Sequence, residues 1–157
     1  MSRTRLTLAA AAGYALGCVQ SADAVARALA GDAGAHVGPV AAVVGHCWPA
    51  PARFDGGKGV ATSFGQCLAT FPAYAPLDVA VAFGTHRLAR GRTPALVAAA
   101  ASSAAWVVAG TIWWRRGLPN LWGPRPTRAL PLANAATVAI LAARSTQLLL
   151  RDRATPA

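Results

Sequence analysis

The chain contains no glutamate, and its acidic residues are five aspartates, Asp23, Asp32, Asp55, Asp78 and Asp152. Only 13 % of its 157 residues are charged, whereas soluble domains carry about 25 %. With 55 % hydrophobic residues and a mean hydropathy of +0.40, this scarcity describes a membrane protein. The length suits one domain, residues 1–157. Cysteine is also scarce: Cys18, Cys47 and Cys67 are an odd set with no Cys-x-x-Cys spacing, and each lies in or beside an apolar run. That excludes a disulfide framework and leaves buried thiols as the expectation. His46 and Cys47 are sequence neighbours that point different ways, a poor metal pair.

Acid is scarce but base is not, and the net charge is +10. No basic run interleaves with aromatics in a polar segment, so a nucleic-acid partner is not expected. Arginines at the ends of spanning helices instead meet anionic headgroups and bias orientation. The start, Met1-Ser2-Arg3-Thr4-Arg5 before an apolar run, has the look of a signal peptide, yet no convincing Ala-x-Ala cleavage site precedes a soluble mature domain. The expectation is a retained first helix over residues 6–22, continuing to about residue 30 with Asp23 and Arg27 as an i,i+4 pair.

Residues 31–34 read as a short break. Residues 37–48 are apolar but span only about 18 Å as a helix, less than a hydrocarbon core of about 30 Å. Residues 49–59 are a loop, and residues 60–74 and 77–89 are short apolar segments separated by Pro72 and Pro76. Residues 93–114 are the clearest spanning helix, with small residues for close packing and an aromatic, cationic end at Trp113-Trp114-Arg115-Arg116. A proline-rich connector, 117–128, precedes the last span, 129–150, in which Arg144 reads as a snorkelling cation near one end. The fold class is all-α, a polytopic helical bundle of about five or six hydrophobic segments. Orientation stays open: Arg3 and Arg5 favour an inside N-terminus, which puts Arg115, Arg116, Arg125 and Arg128 outside, against the positive-inside tendency.

The basic residues include a single lysine, Lys58, set in Gly56-Gly57-Lys58-Gly59-Val60-Ala61-Thr62. Glycines let backbone N–H groups approach a ligand closely. Amides turned inward around one cation suit a phosphate. The competing reading is a flexible polar loop between helices. A nucleotide loop is excluded, because Gly59 follows Lys58 where a Walker A motif needs Ser or Thr.

The longer string resembles a known signature. It runs Gly45-His46-Cys47-Trp48-Pro49, then Phe54-Asp55-Gly56-Gly57-Lys58-Gly59-Val60-Ala61-Thr62. This is similar to the second signature of the bacterial acyl-phosphate:glycerol-3-phosphate acyltransferases, the PlsY family, with Trp48 at its aromatic position. Gly13-Tyr14-x-Leu16-Gly17 and Ser21-Ala22-Asp23 also look like the family's first helix. The resemblance implies transfer of a fatty acyl group from acyl phosphate to the 1-hydroxyl of glycerol 3-phosphate, giving lysophosphatidate in phospholipid synthesis. It implies no metal or cofactor, a multi-pass place in the bacterial plasma membrane, and lipids as surroundings. The pattern His-x-x-x-x-Asp of the other large class of glycerol-phosphate acyltransferases is absent.

On this resemblance Lys58 stabilises phosphate and transition-state charge. Gly56, Gly57 and Gly59 shape the cradle, and Thr62 adds a hydroxyl. His46 bonds phosphate or orients the loop; a satisfied histidine at a helix end is the equal alternative. Arg53 is a further cation, for which a headgroup anchor is the simpler role. Two other family signatures are missing. The first, Ser-Gly-Asn-x-Gly-Ala-Thr-Asn, cannot be present, since no asparagine precedes Asn120. The third, His-Arg-x-Asn-Ile, cannot be present after the last histidine, His86; Arg144-Ser145-Thr146-Gln147-Leu148 occupies a similar place. Alternatives therefore stand beside an active enzyme: an inactive member retaining an anion-binding loop, or the product of an internal deletion.

Overall fold

A computed structural model describes residues 21–89 and 94–154. The expected first helix lies mostly outside these residues, as does the Gly13–Gly17 pattern. The described residues form five helices and no strand: α1 Ser21–Cys47, α2 Val60–Thr70, α3 Ala75–Leu88, α4 Pro94–Arg116 and α5 Ala129–Ala154. A 3-10 turn, Ala50–Ala52, lies between α1 and α2. The all-α class holds.

The break expected at residues 31–34 does not end the helix. α1 spans 27 residues, although Gly31 at φ +57° leaves right-handed helical geometry at the start of the expected break, and Pro39 lies inside it. Each glycine costs a helix about 1 kcal/mol relative to alanine. A buried stripe offsets that cost: Ala35, Pro39, Val43 and Cys47 recur at four-residue spacing and face the bundle. Tertiary packing overrides the local signal.

α2 is shorter than the apolar run suggests. It stops at Thr70, and Phe71 leaves helical geometry with φ −143°. Pro72 explains the stop, because the residue before a proline is pushed out of the α region. Prolines also open the next two helices, Pro76 in the first turn of α3 and Pro94 at the start of α4. There a missing N–H costs nothing.

The core gathers Cys67, Phe71, Tyr74, Trp106, Ala109 and Leu130. Phe71 stacks on Tyr74 and meets Trp113 edge-on, both at 5.3 Å. α4 and α5 are antiparallel and close: a Cβ on Gly110 would lie 2.8 Å from Asn134 Nδ2 and 3.5 Å from Pro131 Cα. Buried polar groups tie helices together. Thr137 donates to Gln66 Oε1 at 2.8 Å, Asn134 to the Trp106 carbonyl at 3.2 Å, and Asn120 to the Thr70 carbonyl at 2.9 Å. Large apolar side chains such as Leu77, Phe83, Leu96, Val108, Leu132 and Leu149 face outward.

Among the described residues one helix, Pro94–Arg116, is long and apolar enough to cross a membrane. α2 and α3, with 11 and 14 residues, reach only about 16 and 21 Å.

One relationship positions the site. α1 and α5 run side by side in the same direction. Val37 and Ala41 share an open apolar cleft with Ala129 and Ala136, and Val43 and Leu141 meet further along at Gly59. The two helices therefore advance together toward the loop that joins α1 to α2.

Candidate functional site: the Gly56–Gly59 loop

The loop leaves α1 at Cys47 and turns at once. Pro49 begins the 3-10 turn, and Arg53 and Phe54 follow with left-handed φ of 52° and 62°. The chain then folds back on the end of α1, where Gly57 N–H donates to the His46 carbonyl at 3.2 Å. Glycine is required at this approach. A Cβ on Gly56 would overlap the His46 carbonyl oxygen and lie 2.5 Å from Pro49 Cδ. A Cβ on Gly57 would lie 2.6 Å from His46 Nε2, so the imidazole covers that glycine. Gly59 is buried at φ +79° against Cys47, Leu141 and Val43.

Gly59 is also the N-cap of α2, with no side-chain cap and no acid in the first turn. The helix begins when Ser63 N–H donates to the Gly59 carbonyl at 2.9 Å. The N–H groups of the first turn, at Val60, Ala61 and Thr62, have no intrahelical acceptor. Lys58 is exposed beside them, and among the described residues neither its ammonium nor the Thr62 hydroxyl has a polar partner. Cation, free amides and uncompensated helix dipole share one place, an arrangement that attracts anions.

The structure thus brings together His46, Gly56, Gly57, Lys58 and Gly59, with half-buried Thr62 one turn into α2. Arg53 stands exposed beside the 3-10 turn, and among the described residues its guanidinium has no partner.

Another arginine holds the loop from below. Arg144 does not snorkel to an end: its side chain is 0 % exposed. Its Nη2 donates to the Gly56 carbonyl and to Asp55 Oδ1, the latter at 3.2 Å. Its Nε donates to the Gly57 carbonyl at 3.3 Å, and Nη1 to Gln147 Oε1 at 2.9 Å. Trp48 Nε1 donates to the same Gln147 oxygen at 3.0 Å. Arg151 reaches Asp55 Oδ1 at 2.9 Å. The hydrogen bond from Arg144, followed by that from Arg151, holds the Asp55 carboxyl below its ordinary value of 3.8.

The sequence offered Arg53 as a further cation, and Arg144 and Gln147 only as partial substitutes for the cation and amide donor of the missing third signature, without catalytic roles. The available signal was the spacing Arg144, Gln147, Arg151, which puts all of them on one helix face. Nothing local says that this face meets residues 55–57.

The family model for glycerol-3-phosphate acyltransferase matches residues 33–150. The chain belongs to this family. Similar curated proteins include a glycerol-3-phosphate acyltransferase of Dinoroseobacter shibae, 46 % identical over 69 residues, 43 % of this chain and 34 % of the relative. One of Ruegeria pomeroyi is 44 % identical over 85 residues, 54 % of this chain and 41 % of the relative. Glycerol-3-phosphate acyltransferase 1 of Moorella thermoacetica is 55 % identical over 42 residues, 27 % of this chain and 22 % of the relative. The chain thus spans well under half the length of these glycerol-3-phosphate acyltransferases. No solved structure matches it.

Proposed function

We propose that the chain transfers a fatty acyl group from acyl phosphate to the 1-hydroxyl of glycerol 3-phosphate, giving lysophosphatidate. The observation that carries this reading is the exposed Lys58 ammonium at the uncapped, acid-free N-terminus of α2. Both substrates are phosphate compounds and repel one another. One cation–anion contact at about 4 Å and an effective dielectric near 20 is worth about 4 kcal/mol before desolvation. In the reaction the glycerol hydroxyl oxygen bonds to the acyl carbonyl carbon. The bond from that carbon to the phosphate oxygen breaks, and the hydroxyl proton leaves with the released phosphate. Acyl phosphate is already activated, so no nucleophilic side chain is needed. Positioning and charge stabilisation supply the rate.

In this reading Lys58 and the amides of α2 take the phosphate charge. Gly56, Gly57 and Gly59 allow the close approach, and Thr62 offers a hydroxyl. His46 fixes Gly57 and presents an imidazole at the rim. Arg53 attracts anionic substrate or headgroup from outside. The outward apolar residues of α3, α4 and α5 suit a multi-pass bundle in a bacterial plasma membrane, where an acyl tail partitions.

The test uses the chain in lipid with palmitoyl phosphate and labelled glycerol 3-phosphate. Lysophosphatidate should form, and Lys58→Ala should lower the rate about a hundredfold or more. Equal product from the two proteins at every substrate concentration would sink the enzyme reading. A second reading, an inactive member that binds anions, has its own support. Asp55 pairs with both Arg144 and Arg151, so both guanidiniums are already engaged and one of their two positive charges is offset. It predicts phosphate binding without product.

A further inference from the structure

We propose that Arg144 is a positioning residue that sets the direction of the Lys58 backbone amide, and thereby the affinity of the loop for a phosphate group. The inference rests on the reading of this loop as a phosphate site and deepens it.

A trans peptide carries its C=O and N–H on opposite sides, and among the described residues no peptide is cis. The Gly56–Gly57 peptide shows the consequence. Its carbonyl accepts from Arg144 on the α5 side, and its N–H donates at 3.2 Å to the His46 carbonyl at the end of α1. The next peptide repeats the constraint. The Gly57 carbonyl accepts from Arg144 Nε at 3.3 Å, so the Lys58 N–H points away from Arg144. The same stretch of chain carries the Lys58 ammonium and leads into the free amides of α2. With the Gly57 N–H already given to the His46 carbonyl, the Lys58 N–H is the amide of these two peptides left to face an anion on the side away from Arg144.

Arginine suits this task and lysine does not. The acceptors are spread over three guanidinium nitrogens: Gly57 on Nε, Gln147 on Nη1, Gly56 and Asp55 on Nη2. A planar fork of five donors reaches them in one fixed geometry, whereas an ammonium is a point with three. Gln147 fixes the fork by accepting from Nη1 and from Trp48, which ties the start of the loop to the same turn of α5. Arg144 is fully buried beneath the loop. It acts on an anion through the peptides it holds, without touching it.

The lone lysine makes the test direct. In the full chain in lipid nanodiscs, 15N-lysine yields one backbone amide signal, that of Lys58. Inorganic phosphate and glycerol 3-phosphate are titrated separately. The wild-type signal should shift saturably. In Arg144→Gln it should start from a different position, and the phosphate midpoint should rise about tenfold or more. Co-labelled tryptophan indole signals from Trp106 and Trp113 report whether the bundle is intact. Should Arg144→Gln fail to fold, Gln147→Ala loosens the fork and should raise the midpoint in the same direction by a smaller factor. A variant with intact indole signals, an unmoved Lys58 signal and an unchanged midpoint overturns the inference alone. A wild-type signal that ignores both anions overturns the phosphate-site reading and the inference together.

Discussion

Arg144 of the last helix and Asp55 of the glycine loop pair at 3.2 Å, the arginine fully buried and the aspartate 69 % exposed. The pair joins segments 89 residues apart in sequence. The buried cation is surrounded by carbonyl and carboxylate oxygens, and the exposed Asp55 carboxylate also takes Arg151.

That pair predicts a pH dependence. The folded-state pKa of Asp55 is lowered by hydrogen bonds from Arg144 and then Arg151. A depressed carboxylate contributes stability in full above its unfolded value, and the contribution fades as pH falls through the folded value. Stability should therefore drop as pH falls below about 3.8, the ordinary value of the group. Thermal unfolding in lipid checks this. Asp55→Asn should be less stable than wild type at pH 7, and the difference should shrink toward pH 3.

Two glycines on either side of the turn that leaves α1, Gly45 and Gly56, should respond in opposite ways to alanine. Gly45 lies in α1 with nothing within 4 Å of a new Cβ, whereas Gly56 meets the His46 carbonyl and the Pro49 ring. Gly45→Ala should be neutral or stabilising by up to about 1 kcal/mol. Gly56→Ala must displace backbone and should cost about 2 kcal/mol or more. Paired unfolding curves decide it, and a Gly56→Ala protein as stable as wild type would contradict the loop geometry.

Gly57 and His46 should be energetically coupled. The atoms nearest a Cβ on Gly57 belong to the His46 imidazole, the end of a movable side chain. Gly57→Ala alone should destabilise. In the His46→Ala background the same change should cost about 0.5 kcal/mol or more less. A double-mutant cycle giving strict additivity would show that the imidazole does not cover Gly57.

Trp48 should matter through its indole N–H as well as its ring. Its Nε1 donates to Gln147 Oε1 at 3.0 Å, and the Arg144 guanidinium carbon lies 6.0 Å from the ring centroid. Trp48→Phe keeps an aromatic face and loses the hydrogen bond. It should lower stability by about 1 kcal/mol. Trp48→Phe combined with Gln147→Leu should cost less than the sum of the two single changes, because the Trp48–Gln147 hydrogen bond is lost only once, while Arg144 Nη1 loses its acceptor in either Gln147→Leu protein.

Much of the fold was legible because its signals are local. An uncharged run marked α4, an apolar run interrupted only by Arg144 marked α5, and Pro72 and Pro76 marked the boundary between α2 and α3. Residues 31–34 misled for the same reason. Two glycines there weaken a helix locally, and only the buried stripe Ala35, Pro39, Val43 and Cys47 shows why α1 continues. Outward apolar and inward polar residues such as Gln66, Asn134 and Thr137 were equally hidden, because a run of hydropathy does not say which side of a helix meets another.

The loop was readable to the residue. Glycines at 56, 57 and 59, one lysine and His46 upstream are a contiguous pattern, and steric need for a missing Cβ writes itself directly into sequence. Its support was not readable. Arg144 on an apolar helix has the same local sequence whether it snorkels to a surface or turns inward. The choice was made by α1 and α5 packing in parallel, which brings the Gly56 and Gly57 carbonyls over the arginine and repays its desolvation with hydrogen bonds. The sequence by itself determined which residues form the glycine-lysine turn. Only the tertiary structure decided what holds that turn open, because the partners are 87 and 88 residues apart and nothing local encodes their meeting.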